Sequence, residues 1–412
     1  MQRTFLTIRR PFSNYRINST RQNANMQSQQ LNSSFAIELL TQMIAIESLT
    51  CRESNRADYL IKVIGEYKER NGFKIERIGN NLILLPAMLY TDSPTLLMVS
   101  HIDTVPPAKD YSFNPVEPFI KDNKIFGLGS NDDGGCVVCM VTSALNYYLN
   151  CKDHYMSKSN IEEAHQINLI LVLSAEEEKS GSKGLTLVLQ KFRDWERVNQ
   201  SFRYPDFAIV GEPTKTEMAV GERGLLVIDC VAEGKAGHAA RDEGENAIYK
   251  AMDDINRLRE LTFPKRSPLF GDVKMTTTIF NSGTVHNIVP AEARFTVDIR
   301  TTECYSNIEL VQIISDLLQS RVVARNLNNK TSVTPQEDYY GKLLLRAGSL
   351  IGLKSFLSPT TSDWMRLDIA AIKAGPGDSA RSHKADEYIA IEEIEQGIEL
   401  YTKYINEINK LI

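Results

Sequence analysis

LLMVSHIDTVPP (96–107) and FGLGSNDDGG (126–135) decide how the chain is read. The apolar run Leu96–Val99 has the composition of a buried strand, and it ends in His101 and Asp103. Residues i and i+2 of a strand point to one side, so both side chains can face one site. Asp132 follows the glycine turn at Gly127 and Gly129 and precedes Gly134, Gly135 and an apolar helix pattern. A histidine and two aspartates beside tight turns, where a strand ends, are the makings of a metal site in an α/β enzyme.

Further along, INLILVL (167–173) and FAIV (207–210) are two more apolar runs, and each again ends in acidic residues. The first runs into SAEEE (174–178) and the second into GEPT (211–214). Helical periodicity falls between them: Phe35–Ile46 capped by Ser33 or Ser34, Ser54–Arg70, Gly135–Tyr148 and Leu185–Phe192. Buried strands alternating with helices specify an α/β sheet, mostly parallel.

From Met218 to about Ala324 the pattern changes to strand, helix, strands, helix, strand, an α+β unit, and after Thr334 the α/β pattern resumes. The expected organisation is a flexible basic tail (1–32), a catalytic domain in two parts (33–216 and 331–412), and an inserted dimerisation or lid domain (217–330). The tail holds five arginines and no Asp, Glu or Lys, which suits an organellar transit peptide or an over-extended start ahead of Met26. Residues 151–166 are polar and read as loop.

A net charge of −5 argues against a nucleic-acid partner, and no stretch is apolar for long enough to span a membrane. Six cysteines are too few for a disulfide framework, so a reducing, cytoplasmic setting is expected. Cys136 and Cys139 form a CxxC inside an apolar helix and read as core residues.

His101-Ile-Asp103, GLGSNDDGG, AEEE, GEPT, GKAGHAA (234–240), NIVP (287–290) and SHKADE (382–387) occur in this order. Together they resemble the family of dinuclear zinc deacylases and exopeptidases that includes acetylornithine deacetylase, succinyl-diaminopimelate desuccinylase and glutamate carboxypeptidase. The similarity covers roughly residues 34 to 412. GERGLLVIDC (221–230), GKAGHAARDEG (234–244) and GPGDSARSHKADE (375–387) look most like the acetylornithine deacetylase branch.

The resemblance implies two divalent metal ions per chain, zinc first, with cobalt or manganese as alternatives. Asp132 would bridge them, His101 and Glu212 would hold one, and Glu178 and His383 the other. Asp103 would orient the ligand histidine and Glu177 would be the general base, the triple glutamate leaving that register open by one residue. His238 would stabilise the oxyanion from the partner subunit of a homodimer, or else is a surface histidine on a hairpin end. Arg223, Asn287 and Arg300 match positions that hold the substrate, the alternative for Arg300 being a salt bridge with Asp298. Thr361-Ser362-Asp363 either lines the pocket or is a polar loop. His154, His165 and His286 carry no metal motif.

Gly134 departs from the family pattern, in which many relatives have lysine. The function implied is removal of an acetyl group from the α-nitrogen of an ornithine-like amino acid, N-acetylornithine or N-acetylcitrulline, in arginine synthesis. A desuccinylase, a dipeptidase or carboxypeptidase, and a metal-free binding relative are the alternatives.

Overall fold

Along the three apolar runs both faces of each strand are buried. Leu96 and Met98, Leu169 and Leu171, and Phe207 and Ile209 pack into one core, while Leu97 and Val99, Ile170 and Val172, and Ala208 and Val210 pack into another. Side chains alternate along a strand, so continuous apolar sequence means a sheet covered on both sides. The computed structural model describes residues 30–412 except 88, 91, 157–166, 200–201 and 242, and among 153–156 the backbone only. The tail at 1–29, His165 and the side chain of His154 therefore lie outside the described residues.

The chain starts with helices α1 (Ser33–Ile44), α2 (Ser54–Gly65) and α3 (Lys68–Asn71) and the hairpin β1 (Phe73–Ile78) and β2 (Asn81–Pro86). Next come β3 (Thr95–His101), the hairpin β4 (Phe119–Lys121) and β5 (Lys124–Phe126), α4 (Gly135–Met156), β6 (Asn168–Ser174), α5 (Leu185–Val198), β7 (Phe207–Val210) and β8 (Met218–Glu222). An inserted stretch holds β9 (Gly224–Glu233), β10 (Gly237–His238), α6 (Ala247–Glu260), β11 (Lys274–Ser282), β12 (Ile288–Val289), β13 (Glu292–Thr301), α7 (Asn307–Leu317) and β14 (Arg321–Ala324). The chain closes with β15 (Ser332–Val333), α8 (Tyr339–Leu350), β16 (Ser355–Ser358), β17 (Ala370–Lys373), β18 (Tyr388–Ala390) and α9 (Ile391–Leu411).

The central sheet runs β1-β2-β6-β3-β7-β17-β8-β15, with β16 pairing β8. Its middle, β6-β3-β7-β17, is parallel throughout. Strands β1, β2, β8 and β15 pair antiparallel toward its two sides. Helices α1, α4, α8 and α9 cover one face and α5 the other. The inserted stretch forms an antiparallel sheet, β11-β13-β9-β14, with its own core against α6 and α7. No helix among the described residues is long and apolar enough to cross a membrane.

Four details differ from the sequence expectation. Asn32, rather than Ser33 or Ser34, caps α1 by accepting the Ser34 amide. The helix expected from Ser54 to Arg70 breaks after Gly65 and restarts at Lys68. Residues 151–156 continue α4 instead of entering a loop, and Lys152 is bonded to the carbonyls of Glu69 and Arg70. The strand Met218–Glu222, expected within the insertion that starts at 217, pairs with β16 and β17, so it belongs to the central sheet and the smaller sheet begins at Gly224.

Candidate active site

Because β3, β6, β7 and β17 are parallel neighbours, their carboxyl ends share one edge of the sheet. His101 is the last residue of β3 and lies opposite Ser174, the last of β6. Glu177 and Glu178 follow β6, Glu212 follows β7, and His383 lies on the segment after β17. Asp132 arrives from the turn between β5 and α4. Ligands expected from five separate segments thus meet where an open α/β sheet places its sites.

Asp132 sits between the two histidines. Its Oδ1 is 3.2 Å from His101 Nε2 and its Oδ2 is 3.6 Å from His383 Nε2. His383 Nε2 is also 3.0 Å from Glu178 Oε2. Ligand atoms of His101, Asp132 and Glu178 lie within 4.8 Å of one another, and so do those of His101, Glu177 and Glu212.

A carboxylate facing a different imidazole with each oxygen is what a bridging ligand requires. The donor set is also rich in negative charge for its burial. Burial, reinforced by the charges of Glu212, Glu178 and Asp363, pushes the Glu177 carboxyl well above the usual carboxylate range. Burial with Asp132 and Asp133 does the same to Glu212. Carboxylates that cannot all ionise beside two imidazoles fit a site completed by cations.

Asp103 is fully buried and does more than expected. His101 Nδ1 lies 3.0 Å from the Asp103 carbonyl and 3.5 Å from its carboxylate. The two carboxylate oxygens accept the main-chain amides of Glu177 (3.1 Å) and Glu178 (3.2 Å). One side chain therefore sets both the histidine and the glutamate loop. That loop is bent at both ends, since Glu176 (φ 56°) and Ser180 (φ 51°) are left-handed. Non-glycine residues there cost of order 1–3 kcal/mol each and persist only when held. Glu53 helps to hold the first of them, accepting the amides of Cys51 and Glu176 and the side chain of Asn80.

Sequence reading missed Glu387. It is buried, and its carboxylate accepts three main-chain amides of the turn that carries Asp132: Gly129 (2.9 Å), Asn131 (2.8 Å) and Asp132 (2.9 Å). Burial, with the Asp132 charge, pushes its carboxyl up to about 7, against the pull of these amides. Glu387 lies four residues after His383 within SHKADE, so it ties the segment of His383 to the turn of Asp132. In the same turn, a Cβ on Gly134 would overlap the Gly129 carbonyl and crowd Leu40, so the lysine of many relatives has no room here without a shift of the turn.

The residues assigned to substrate are not brought to this cluster. The Arg223 guanidinium donates to the carbonyls of Phe270, Asp272 and Arg300. Arg300 forms a two-bond pair with Asp298. His238 and Asn287 are exposed on the β10–β12 ladder, where His238 faces Ile288 and the Ala239 amide donates to the Asn287 carbonyl. Thr361 donates to the Arg223 carbonyl, Ser362 to Glu222, and Asp363 accepts the Ser174 hydroxyl at 2.6 Å. Beside them Thr360, Ser358, Lys373 and Glu212 border a cavity of about 230 Å³.

The model of peptidase family M20/M25/M40 matches residues 97–407. The chain belongs to this family. It is 26% identical over 392 residues to a succinyl-diaminopimelate desuccinylase of Psychromonas ingrahamii, covering 89% of this chain and 96% of that one. Among solved structures it is similar to a tripeptidase of Staphylococcus aureus, with a TM-score of 0.68 and 17% identity over 93% of this chain and 100% of the other. It is also similar to Bacillus subtilis YXEP, described as a dinuclear metal-binding peptidase of the M20 family, with a TM-score of 0.66 and 12% identity over 92% and 99%. These likenesses agree with the mixed, mostly parallel sheet.

Both imidazoles must be unprotonated to ligate a cation. Burial works to lower His101, but its hydrogen bonds to Asp103 and Asp132 hold it well above the usual imidazole range in the metal-free protein. The Glu178 hydrogen bond raises His383 to about 9. Acid favours the protonated, non-ligating forms, so apparent zinc affinity should fall as pH drops below about 9, roughly tenfold per unit for each proton displaced. Competition with a chelator between about pH 6 and 9 measures the slope.

For Glu387→Gln the expected outcome is retained folding with metal affinity lowered about 10–100-fold, the range for a residue that supports a ligand. Titration followed by elemental analysis checks it. Unchanged affinity would mean that the turn keeps Asp132 in place without this carboxylate.

Proposed function

We propose that the protein is a two-metal amidohydrolase that removes a short acyl group from the α-nitrogen of a small amino acid. N-acetyl-L-ornithine is the leading substrate, with N-acetylcitrulline beside it, in arginine synthesis. The observation that carries the reading is Asp132 offering one oxygen to each of two histidines, with the Glu177 carboxyl beside the same cluster.

Zinc is the first choice of metal, with cobalt or manganese as alternatives. One ion is assigned to His101 and Glu212 and the other to Glu178 and His383, Asp132 being shared. Such a pair supplies Lewis acidity, polarising the amide carbonyl and lowering the pKa of water. Glu177, its main-chain amide fixed on Asp103, takes a proton from water and returns it to the leaving amine. The six cysteines are unpaired, which supports a reducing, cytoplasmic setting.

The acetyl group and ornithine rest on the likeness of GERGLLVIDC, GKAGHAARDEG and GPGDSARSHKADE to the acetylornithine deacetylase branch. A second reading, N-succinyl amino acid hydrolysis, is favoured by the desuccinylase relative. The deciding experiment is an assay of zinc-loaded protein on N-acetylornithine, N-acetylcitrulline, N-succinylornithine, N-succinyldiaminopimelate and unblocked dipeptides. Highest kcat/KM on the acetyl substrates supports the first reading, and a preference for succinyl substrates or dipeptides replaces it. In the same assay Glu177→Gln should keep its metal and lose about 10²–10⁴ in kcat, while Glu178→Gln should bind one metal weakly. Exchanged phenotypes would place the glutamate motif one residue out of register.

The proposal extends to a homodimer formed through the inserted sheet. Strand β11 is one of its two edges, exposing Ile279 and Phe280, and the neighbouring α6 exposes Tyr249 and Met252. An open apolar edge of this kind invites pairing with a second copy. His238 Nδ1 accepts the Ala240 amide at 3.1 Å, which leaves Nε2 of the neutral ring as a donor for an oxyanion in the partner's site. Mixed dimers of His238→Ala and Glu177→Gln subunits should recover part of the wild-type rate. No recovery in isolated mixed dimers would remove His238 from the partner's site.

A further inference from the structure

We propose that the buried ion pair Lys373–Glu222 positions residues 358–362 as the wall of a cavity beside Glu212, and so sets substrate binding without touching substrate or metal. This rests on the amidohydrolase reading above. The pair is 2.9 Å long, and its side chains are 1% and 0% exposed. Lys373 ends β17, whose other residues are Ala370, Ala371 and Ile372, and Glu222 ends the neighbouring β8. Neither charge has a part in the reaction proposed above.

An ammonium has three donors. Those of Lys373 meet Glu222 Oε2, the Thr360 carbonyl at 3.1 Å and the Thr360 hydroxyl at 3.5 Å. Glu222 is equally engaged. Its Oε2 also accepts the Ser362 hydroxyl at 2.7 Å, and its Oε1 accepts the Ser362 amide at 3.2 Å and the Ser332 hydroxyl at 3.5 Å. With its donors spent inside the protein, Lys373 is a positioning residue and not a binding cation. Thr360 hangs on the lysine and Ser362 on the glutamate, while Thr361 between them donates to the Arg223 carbonyl.

A buried pair of this kind gives little net stability over an apolar pair of similar volume, because both charges lose their water. What it gives here is registry, fixing a stretch without a strand ladder (359–362) to the ends of β8, β15 and β17. The stretch matters because Ser358, Pro359 and Thr360 border, with Lys373, the cavity of about 230 Å³ that also touches Glu212. Of the clustered histidines and carboxylates only Glu212 borders it, so the cavity adjoins the cluster on one side, away from the base. Burial and the charges of Asp132 and Asp133 raise the Glu212 carboxyl and the Lys373 charge opposes them, in keeping with this closeness. A part of the substrate distant from the bond being cut fits there. Contacts to such a part are alike in the ground and transition states, so losing them raises KM and leaves kcat.

Lys373→Met alone would leave Glu222 buried and unpaired, so the test uses the double variant Lys373→Met/Glu222→Gln, which removes both charges and keeps an acceptor for Ser362. The milder Ser362→Ala accompanies it. Zinc-loaded wild type and variants are assayed on N-acetylornithine, N-acetylcitrulline, N-succinylornithine and an unblocked dipeptide, and compared on the substrate that wild type prefers. The double variant should raise KM about 10–100-fold, with kcat within about threefold of wild type and zinc content unchanged. Ser362→Ala should raise KM about 3–10-fold, and it carries the comparison if the double variant does not fold. A loss carried by kcat, or a loss of zinc, overturns the inference, because the pair would then act on the base or on Glu212. Unchanged KM with a lower melting temperature makes the pair purely structural and overturns it as well. Amide hydrogen exchange of the zinc-loaded protein needs no substrate: the variants should lose protection over residues 358–363 while β7 and β17 keep theirs, and unchanged protection overturns the inference. If wild type cleaves only the dipeptide, the deacylase reading fails while KM on the dipeptide still decides on the pair. If it cleaves none of the four, the amidohydrolase reading fails and exchange decides whether the pair positions the loop.

Discussion

Asp132, Glu177, Glu178 and Glu212 converge beside two imidazoles at one end of a parallel sheet, and their mutual repulsion is the constraint the surrounding structure answers. Left alone, such groups move apart or take up protons, as the raised Glu177 and Glu212 carboxyls show. The chain holds them by main-chain anchorage rather than by counter-charges. Asp103 carries the amides of Glu177 and Glu178, Glu387 carries those of Gly129, Asn131 and Asp132, and Glu53 carries that of Glu176. Each anchor is itself a buried carboxylate, so acidity is stacked around the site in two layers. Dications at the centre would relieve both layers at once, since each neutralised ligand also lowers the field on its supports.

The parallel strands make this arrangement reachable from sequence. Both faces of β3, β6 and β7 are covered, so their apolar runs stand out, and the polar residues that follow each run must lie at its carboxyl end. That logic brought His101, Glu177, Glu178 and Glu212 to one edge, and the order of motifs added Asp132 and His383. What stayed hidden depends on contacts between distant segments. Glu387 looks like any acidic residue near a turn, and nothing in its spacing says that it meets amides more than 250 positions earlier. Arg223 and Arg300 carry the right charge in matching motifs, yet three carbonyls hold the first and Asp298 the second. Residues 218–222 fell inside the expected insertion because the pairing partners of β8, β16 and β17, come some 130 residues or more later in the chain. Pattern reads local periodicity, and such partnerships leave no trace in it.

The two crossings between the central sheet and the inserted sheet sit against the loops that border the candidate site. At the first, Glu222 binds Ser362 and Lys373, and Arg223 gives its carbonyl to Thr361. At the second, Asn329 accepts the Leu225 amide through its carbonyl and donates through its side chain to the Ser180 hydroxyl at 3.2 Å. Gly224 is packed so closely against Thr301 and Thr331 that no side chain fits, which keeps the crossings together. Ser180 is thus held from one side by the insertion and from the other by Arg366. The hydrogen bond from Asn329 to Ser180 joins the base of the inserted sheet to the loop that carries Glu177. The loop of Glu177 and the inserted sheet are therefore parts of one hydrogen-bonded assembly, although the smaller sheet has a core of its own.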